Sequence, residues 1–361
     1  MKKEIFLIAA IILLTCNTAL YGINFSRVNI AWQYDVDFEV QMAHRVVNSA
    51  EGTIIFLKIK SDTLDKWNYE FLFQEDYDTE EDREVEPSSI DTLKSSTTES
   101  LLKLTFSGIQ TGLIVVKFYK PENYYYYDIY LRIGSLTYPE IYPVDQNGLP
   151  ILDQYINRSG HSWEGSDSYL AMQYKEWFKR ADPPMADMKA LAPQVDLDTA
   201  FQFIGSTSML ENHFYTIRKD SLANTGITML RMPPYFPEYR QLNELVESMQ
   251  YLTSEQEEKA MMRSKNPKQS FDSFWMNTYS TKSRARSAIR KYYAWIKKAN
   301  MLFTDFKPGW KTDRGMMYIV FGKPDEVYRT GNLEEWYYDD GSAFEFTIFS
   351  TFFAPRTYAL R

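Results

Sequence analysis

The sequence is poor in the side chains on which many catalytic and metal sites depend. Its 361 residues include one cysteine, Cys16, and three histidines, His44, His161 and His213. One cysteine excludes an intrachain disulfide, and no two histidines have the spacing of a metal-binding pair. Phosphate-binding loops of the Walker and Rossmann types are absent as well. We therefore predict no metal site, no cofactor, no catalytic residue and no enzymatic function.

Long hydrophobic runs are also missing. A membrane-spanning helix needs about 20 apolar residues, whereas the uncharged stretch at residues 5–14 is half that long. This stretch follows the basic residues Lys2 and Lys3 and precedes small and polar residues, which is the pattern of a secretory signal. We predict that residues 1–22 are a signal peptide and that the protein is exported to the periplasm or the outer membrane.

Two processing routes fit this signal. Leu13, Leu14 and Thr15 precede Cys16 as in a bacterial lipobox, although Thr15 stands where glycine, alanine or serine is usual. Cleavage there would leave Cys16 lipidated, and a lipid anchor is the only membrane attachment that we expect. Ordinary signal cleavage near residues 19–22 would leave the protein without an anchor.

The chain has fewer basic than acidic residues. It carries 40 lysines and arginines against 48 aspartates and glutamates, a net charge of -8. Nonspecific nucleic-acid binding depends on neutralising phosphates, so we predict no nucleic-acid partner. Aromatic residues, at 16%, are plentiful. They favour either strand cores with surface tyrosines or a stacking platform for sugars or peptides.

Alternating apolar residues dominate the segment that follows the signal. Residues 28–42 alternate throughout, which predicts a half-buried strand, or two strands. About seven strands over roughly 110 residues are typical of an antiparallel β-sandwich of immunoglobulin-like size, which we predict for residues 23–140. Further strand-like runs lie at residues 53–60, 69–74, 101–106, 113–119 and 124–133.

An acidic and then Ser/Thr-rich stretch, residues 75–100, interrupts these strands. Asp76, Asp78 and Glu80 alternate as calcium ligands do, but the glycine and terminal glutamate of an EF-hand loop are missing. We predict a solvated loop.

The remainder divides into two predicted segments. Residues 141–236 are predicted to be a linker and a second β-rich segment, with strand-like runs at 201–204, 213–217 and 227–230. Residues 237–361 are predicted to be a helical and β domain. Its apolar spacing predicts helices at 242–252 and 283–303, and Ser254 with Glu257 forms a candidate capping box between them.

Residues 308–315, Pro-Gly-Trp-Lys-Thr-Asp-Arg-Gly, follow the last predicted helix. Gly309 is predicted to end that helix with a flexible φ, and Trp310 to pin a strand against it. Thr312 and Asp313 are predicted to accept backbone N–H bonds in a tight turn, before a close backbone approach at Gly315.

Two sheet elements are predicted after this motif. The apolar run 316–321 predicts a strand buried on both sides. Asp340-Gly341 predicts a hairpin with a type I′ turn. Arg314 is predicted to pair with Asp313, Asp325 or Glu326.

These residues resemble the GWxTD-domain family of exported bacterial proteins, known from Bacteroidetes. The resemblance rests on the name motif, on the turn that contains Asp325, and on the Trp-Tyr-Tyr at residues 336–338; the name motif and its neighbours are Gly309, Trp310, Thr312, Asp313, Arg314 and Gly315. It implies an α+β fold and an exported, often lipoprotein-like protein to which no reaction is attached. Either the motif only holds the fold, or Asp313 and Arg314 recognise a ligand.

Three hypotheses for the function remain. The first is an interaction or assembly component that binds an envelope protein. The second is a glycan-binding protein that stacks sugars on the tyrosines at 124–127 or on Trp163 and Trp177. The third is a hydrolase using His161 and Ser162, although the spacing Gly-x-Ser-x-x-Gly is one residue longer than that of a nucleophile elbow.

Overall fold

A computed structural model describes residues 23–79, 82–133, 136–174, 197–223, 225–351, 353–354 and 356–361. The predicted signal peptide with Cys16, together with Glu80 and Trp177, lies outside these residues.

The predicted N-terminal β-sandwich is confirmed. Its first sheet has the strand order β1-β2-β6-β5 and its second the order β4-β3-β7-β8, and every pairing is antiparallel. Inward-facing residues such as Leu57, Phe71 and Phe118 form the core between the sheets. The strands are β1 (Gln41–Ser49), β2 (Gly52–Lys60), β3 (Asn68–Gln74), β4 (Arg83–Glu84), β5 (Ser89–Ser95), β6 (Glu99–Ser107), β7 (Leu113–Lys120) and β8 (Asn123–Tyr130).

The strand predicted for residues 28–42 is wrong. A short 3-10 helix, Phe25–Arg27, precedes this region, a second one, Ala31–Tyr34, lies within it, and β1 begins only at Gln41. The Asn29 side chain accepts the N–H of Ala31 at 2.9 Å. Such local bonds offer the backbone an alternative to strand pairing.

The loop predicted for residues 75–100 is only partly present. It contains β4 and the edge strand β5, every residue of which is exposed. Because β5 buries no side chain, its sequence lacks the alternation of apolar and polar residues from which strands are predicted.

The middle of the chain forms a five-stranded sheet. Its order is β12-β17-β16-β14-β15, with β12 and β17 parallel and the other pairs antiparallel. The strands of this region are β9 (Arg132–Ile133), β10 (Leu136–Thr137), β11 (Tyr142–Val144), β12 (Tyr155–Ile156), β13 (Ser162–Glu164), β14 (Tyr169–Tyr174), β15 (Leu197–Phe203), β16 (His213–Arg218) and β17 (Ile227–Arg231).

Helices and a small antiparallel sheet form the C-terminal domain. The predicted helix at 283–303 is confirmed as α4, and the capping box of Ser254 and Glu257 is confirmed at the start of α2. The helix predicted at 242–252 is shorter than expected. The elements are α1 (Leu242–Glu247), α2 (Glu255–Arg263), α3 (Pro267–Thr278), α4 (Lys282–Phe303), α5 (Asp313–Phe321), β18 (Glu326–Thr330), β19 (Leu333–Tyr337), β20 (Ala343–Phe349) and β21 (Thr357–Leu360).

The buried strand predicted for residues 316–321 is wrong, because these residues belong to helix α5. Met317 and Tyr318 are buried, whereas Val320 and Phe321 are 52% and 41% exposed. The run is therefore apolar even at positions where the side chain is not buried. Its composition alone could not distinguish a strand covered on both sides from a short helix covered on one.

The hairpin predicted at Asp340-Gly341 is present between β19 and β20. Gly341 has a φ of +87°, but Asp340 does not have a positive φ. The turn is therefore not of type I′, which needs positive φ at both central residues.

The C-terminal domain covers part of the outer face of the second sheet. Leu113 and Val115 from β7 are buried in one cluster with Trp310, Trp336 and other residues of this domain. Further along the same strands, the side chains of the outer face are exposed or half-buried, and Tyr126 also packs against that cluster. We call these parts the covered half (Leu72, Gln74, Leu113, Val115, Asp128, Tyr130) and the open half (Asn68, Glu70, Lys117, Tyr119, Tyr124, Tyr126).

Candidate functional site

The motif at residues 309–315 begins where the chain folds back against α4. Gly309 lies so close to this helix that a Cβ atom would sit 2.0 Å from the carbonyl oxygen of Ala299. The φ of Gly309 is not positive. Glycine is therefore required here for space, and not for the flexible φ that we predicted.

Trp310 is fully buried, as its predicted packing role requires. Its indole N–H donates to the Tyr239 hydroxyl at 2.7 Å, and its carbonyl accepts from the Tyr251 hydroxyl at 2.6 Å. Its backbone N–H donates to the Asn300 side chain in α4 at 3.2 Å. Trp310 thus joins α4 to the segment before α1, and the strand that it was predicted to pin, residues 316–321, is helix α5.

Thr312 and Asp313 both accept backbone N–H bonds, as predicted. Thr312 caps α5 by accepting the N–H of Gly315 at 3.0 Å. Asp313 accepts the N–H of Leu360 at 2.9 Å, so its partner lies in β21 and not in a local turn. At Gly315 the predicted close approach is present, since a Cβ would lie 1.8 Å from the Gly309 carbonyl oxygen.

The predicted partners of Arg314 are wrong. Its guanidinium lies 3.5 Å from Glu334, donates to the Tyr34 hydroxyl at 3.2 Å, and stacks 3.3 Å from the ring centre of Tyr358. Asp325 is exposed and accepts the N–H of Asp339 at 2.8 Å. Arg314 lies in the first turn of α5, whereas the turn that holds Asp325 follows the last turn of this helix.

Arg314 belongs to a buried ionic cluster that joins the C-terminal domain to the sandwich. Arg329 in β18 donates to Asp128 at 2.6 Å and, through Nε, to Glu334 at 2.7 Å. Its Nη2 donates to the Tyr34 hydroxyl at 2.6 Å. We define the ionic cluster as Asp128, Arg314, Arg329, Glu334 and Arg356.

Both carboxylates of the cluster have no exposed side-chain surface. Burial alone would raise their pKa, but Arg329 holds the pKa of Asp128 and of Glu334 below the usual values. Hydrogen bonds from Tyr77 to Asp128, at 2.7 Å, and from Trp336 to Glu334, at 2.8 Å, act with these ion pairs. The cluster is therefore ionised at neutral pH.

Only Arg314 of this cluster was predicted from the sequence. Arg329 and Glu334 face each other across the β18–β19 pair, which a hairpin register could have revealed. Asp128 lies 201 residues before Arg329 along the chain. No local pattern could have joined those two residues.

A cavity of about 390 Å³ lies beside the cluster, between the sandwich, the middle sheet and the C-terminal domain. Burial lowers the pKa of His44 to about 4, and His44 lies 2.7 Å from the Tyr127 hydroxyl. Burial raises the pKa of Asp305 to about 6. The cavity is lined by residues from all three parts, among them His44, Tyr130, Leu152, Thr228, Asp305, Arg314, Arg356 and Tyr358.

The residues predicted for sugar stacking are only partly available. Trp163 is 3% exposed and cannot form a platform. Strand alternation points Tyr125 and Tyr127 toward the sandwich core. Tyr124 and Tyr126 remain on the open half, with ring centres 5.5 Å apart and planes at 65°.

The hydrolase arrangement is not formed. Ser162 begins the short strand β13, not a strand-to-helix turn. Neither ring nitrogen of His161 makes a hydrogen bond within the described part of the chain, so His161 does not activate Ser162.

Two further properties concern the described residues only. Among them, no group of three or more His, Cys, Asp or Glu side chains is arranged to hold a metal ion. No helix in the same part of the chain is long and apolar enough to cross a membrane.

Comparison with known proteins identifies the C-terminal part of the chain. The model of the GWxTD domain family matches residues 213–361, so this part is a GWxTD domain, as its motif predicted. No curated protein and no solved structure matches the chain.

Proposed function

We propose that this GWxTD-domain protein is a non-catalytic interaction component of the bacterial cell envelope, in the periplasm or at the outer membrane. It binds a protein partner through the open half of the second sheet. The signal-like pattern of residues 1–22 supports export. The burial of the motif supports a working surface elsewhere, because Trp310 is fully covered and Asp313 is bonded to β21.

The observation that carries this proposal is the set of tyrosines on the open half. Tyr124 is 63% exposed and packs edge-on against Tyr126. Tyr119 lies directly opposite Tyr124 on the neighbouring strand. Tyrosine is enriched at protein interfaces, because it supplies a large contact area at little cost in side-chain entropy.

Polar contacts hold this surface in one conformation. Glu70 accepts from the Tyr119 hydroxyl at 2.8 Å and from Lys117 at 3.1 Å. These three residues come from adjacent strands and share one face. A surface that is ordered before binding loses less entropy when a partner docks on it.

A protein partner fits this surface better than a glycan does. Sugar stacking needs a ring face that is open and parallel to the sugar, but the planes of Tyr124 and Tyr126 meet at 65°. With Trp163 buried, these two rings are the ones that the glycan hypothesis retains among the residues that the structure describes. Protein interfaces accommodate tilted aromatic pairs readily.

The proposal is tested by placing a photo-cross-linking amino acid at position 124 of the full chain in its native cells. Leu222, which is 87% exposed and lies outside the second sheet, is the matched control position. We expect one discrete cross-linked protein from position 124 and none in common with position 222. The same products at both positions would contradict the proposal.

A second arm separates the glycan hypothesis. The purified full chain is titrated with envelope polysaccharide while the tyrosine and tryptophan fluorescence is recorded. A saturable change that disappears in Tyr124→Ala, with no cross-linked protein from position 124, would replace the protein partner by a glycan.

A further inference from the structure

We infer that the cavity between the sandwich, the middle sheet and the C-terminal domain binds a small organic molecule with a single carboxylate, held by Arg314 and Arg356, which share Tyr358 as a neighbour. This inference goes beyond the proposed function and does not depend on it, because the cavity and the open half are separate surfaces. It rests on the donors, the charge and the walls of the cavity.

The three arginines of the ionic cluster differ in how fully their N–H groups are used. A guanidinium has five N–H donors. Arg329 uses its groups on Asp128, Glu334 and Tyr34. Within the described residues, Arg314 makes hydrogen bonds through Nη1 only, at 3.2 and 3.5 Å.

Arg356 is used even less fully than Arg314. It donates to the Tyr77 hydroxyl at 3.0 Å and lies 3.8 Å from Asp128. Its Nε is buried and has no hydrogen-bond partner within the described residues. A buried donor without a partner is unfavourable, so the Arg356 donors are suited to an acceptor that enters the cavity.

The two under-used guanidiniums share one aromatic neighbour. The Tyr358 ring centre lies 3.3 Å from the guanidinium carbon of Arg314 and 5.6 Å from that of Arg356. Arg356 also lies 5.6 Å from the ring of Tyr130. Tyrosine rings thus hold both cations beside the cavity, which all four residues line.

The charge of the cluster favours a monoanion. Arg314, Arg329 and Arg356 carry three positive charges, whereas Asp128 and Glu334 carry two negative charges. One carboxylate balances the remaining charge, and the fork of a guanidinium matches its geometry. A phosphate dianion would carry more negative charge than is needed to balance this remaining positive charge.

Arg45, Asp153, His44 and Asp305 also line the cavity. Arg45, which donates to backbone carbonyls, has Asp153 as its nearest charged influence, so these two residues compensate each other. His44 is neutral above about pH 4. Asp305, near Lys307 and Arg314, has a pKa raised by burial to about 6 and is mostly neutral below that pH.

The walls and the entrance suit a small organic body. A volume of about 390 Å³ lies within the range of roughly 300–1,000 Å³ found for small-molecule sites. Tyr130, Tyr138 and Phe353 provide aromatic walls. Met301 lines the cavity and is 46% exposed, so the cavity opens to the surface there.

The test is calorimetric titration of the full chain at about pH 5.5, where Asp305 is mostly protonated. The probes are benzoate, its neutral isostere benzamide, and inorganic sulfate, which is a dianion at this pH, each up to about 20 mM, well above the ~1 mM dissociation constant expected for such a small ligand. We expect benzoate to saturate one site per chain and the other two probes to give only heat of dilution. Equal heats for benzoate and benzamide would overturn the inference, and tighter binding of sulfate would overturn the choice of a monoanion.

Two variants locate the site. Arg356→Met should weaken benzoate binding at least tenfold, while Arg361→Met, at an exposed arginine paired with Glu345, should not change it. Arg356→Lys keeps the charge but loses the fork, and should show an intermediate loss if Arg356→Met does not fold. Unchanged benzoate binding in whichever variant retains the wild-type melting transition would place the anion elsewhere and overturn the inference.

Discussion

The covered and open halves of the second sheet lie on the same strands and the same face, yet their residues differ in kind. The covered half contains Val115, which is apolar, and Asp128, which is a fully buried carboxylate. The open half contains Tyr124 and the Glu70–Lys117 pair, which remain partly in water. The difference shows that the same sheet face joins two domains at one end and presents a surface at the other.

The largest loss of stability is expected when Arg329, which neutralises the buried carboxylates of the ionic cluster, is replaced. Arg329→Met leaves the buried carboxylates of Asp128 and Glu334 with neutral hydrogen-bond donors and with only the more distant cations Arg314 and Arg356. Removing one partner of a buried ion pair costs about 3–5 kcal/mol, and we expect the upper end because two carboxylates lose their partner. Denaturant unfolding followed by circular dichroism measures this loss.

The exposed Arg240 is the matched control for Arg329. Arg240→Met should change the free energy of unfolding by no more than about 0.5 kcal/mol, because Arg240 pairs with Glu238 at the surface. If Arg329→Met were as stable as Arg240→Met, the ionic cluster would not hold the domains together.

The next largest loss of stability is expected in the motif at residues 309–315. Trp310→Ala removes a fully buried indole and its hydrogen bond to Tyr239, so we expect a loss of about 3–5 kcal/mol. Trp310→Phe keeps most of the apolar contact and should lose less. A Trp310→Ala variant that unfolds like the wild type would show that Trp310 is exposed, and would return the motif to the candidate binding surfaces.

Replacing Asp305 should have a smaller effect on the free energy of unfolding, and this effect should depend on pH. Burial raises the pKa of its carboxyl from 3.8 to about 6, so the folded protein retains a proton that the unfolded chain releases in that window. The free energy of unfolding therefore decreases as the pH rises through the window. Asp305→Asn should stabilise the protein by about 1–2 kcal/mol at pH 8 and by close to zero at pH 4.

His44 acts with the opposite sign in nearly the same window. Burial lowers its pKa from 6.5 to about 4, so its contribution to stability is lost as the pH falls. Melting temperatures of Asp305→Asn must therefore be compared with the wild type at each pH. A stabilisation of equal size at pH 4 and pH 8 would contradict the raised pKa of Asp305.

The smallest effect on stability is expected in the open half. Tyr124→Ala removes an exposed ring, so the free energy of unfolding should change by no more than about 0.5 kcal/mol. Chemical denaturation measures this directly. A loss of several kcal/mol would mean that Tyr124 supports the fold. Its exposure would then no longer be evidence for a binding surface on the open half.

The sequence predicted helices and strands best where the apolar residues repeated regularly along the whole element. Helix α4 and strands β2, β3, β6 and β7 satisfied this condition. Residues 28–42 alternated as well, but the Asn29 side chain favours local turns over strand pairing. Residues 316–321 were too short and too uniformly apolar to distinguish a strand from helix α5.

The site was less predictable than the fold, because its contacts join distant parts of the chain. The burial of Trp310, the backbone hydrogen bond of Thr312 and the close approach at Gly315 were predicted correctly. The flexible φ of Gly309 and the partners of Arg314 were predicted wrongly. Arg314 interacts with Tyr34, 280 residues earlier, and that residue lay in a segment predicted as strand. Charge pairs of this kind follow from tertiary structure and leave no local signature.

The central claim is that the GWxTD motif acts inside the molecule while the open half meets the partner. The most direct test is quantitative capture of cross-linked partners from living cells carrying Asp313→Asn or Tyr124→Ala, after both variants are shown to be folded. We predict that Asp313→Asn retains the partner at the wild-type yield and that Tyr124→Ala loses it. A partner lost in folded Asp313→Asn and retained in Tyr124→Ala would contradict the account and place the working surface at the motif.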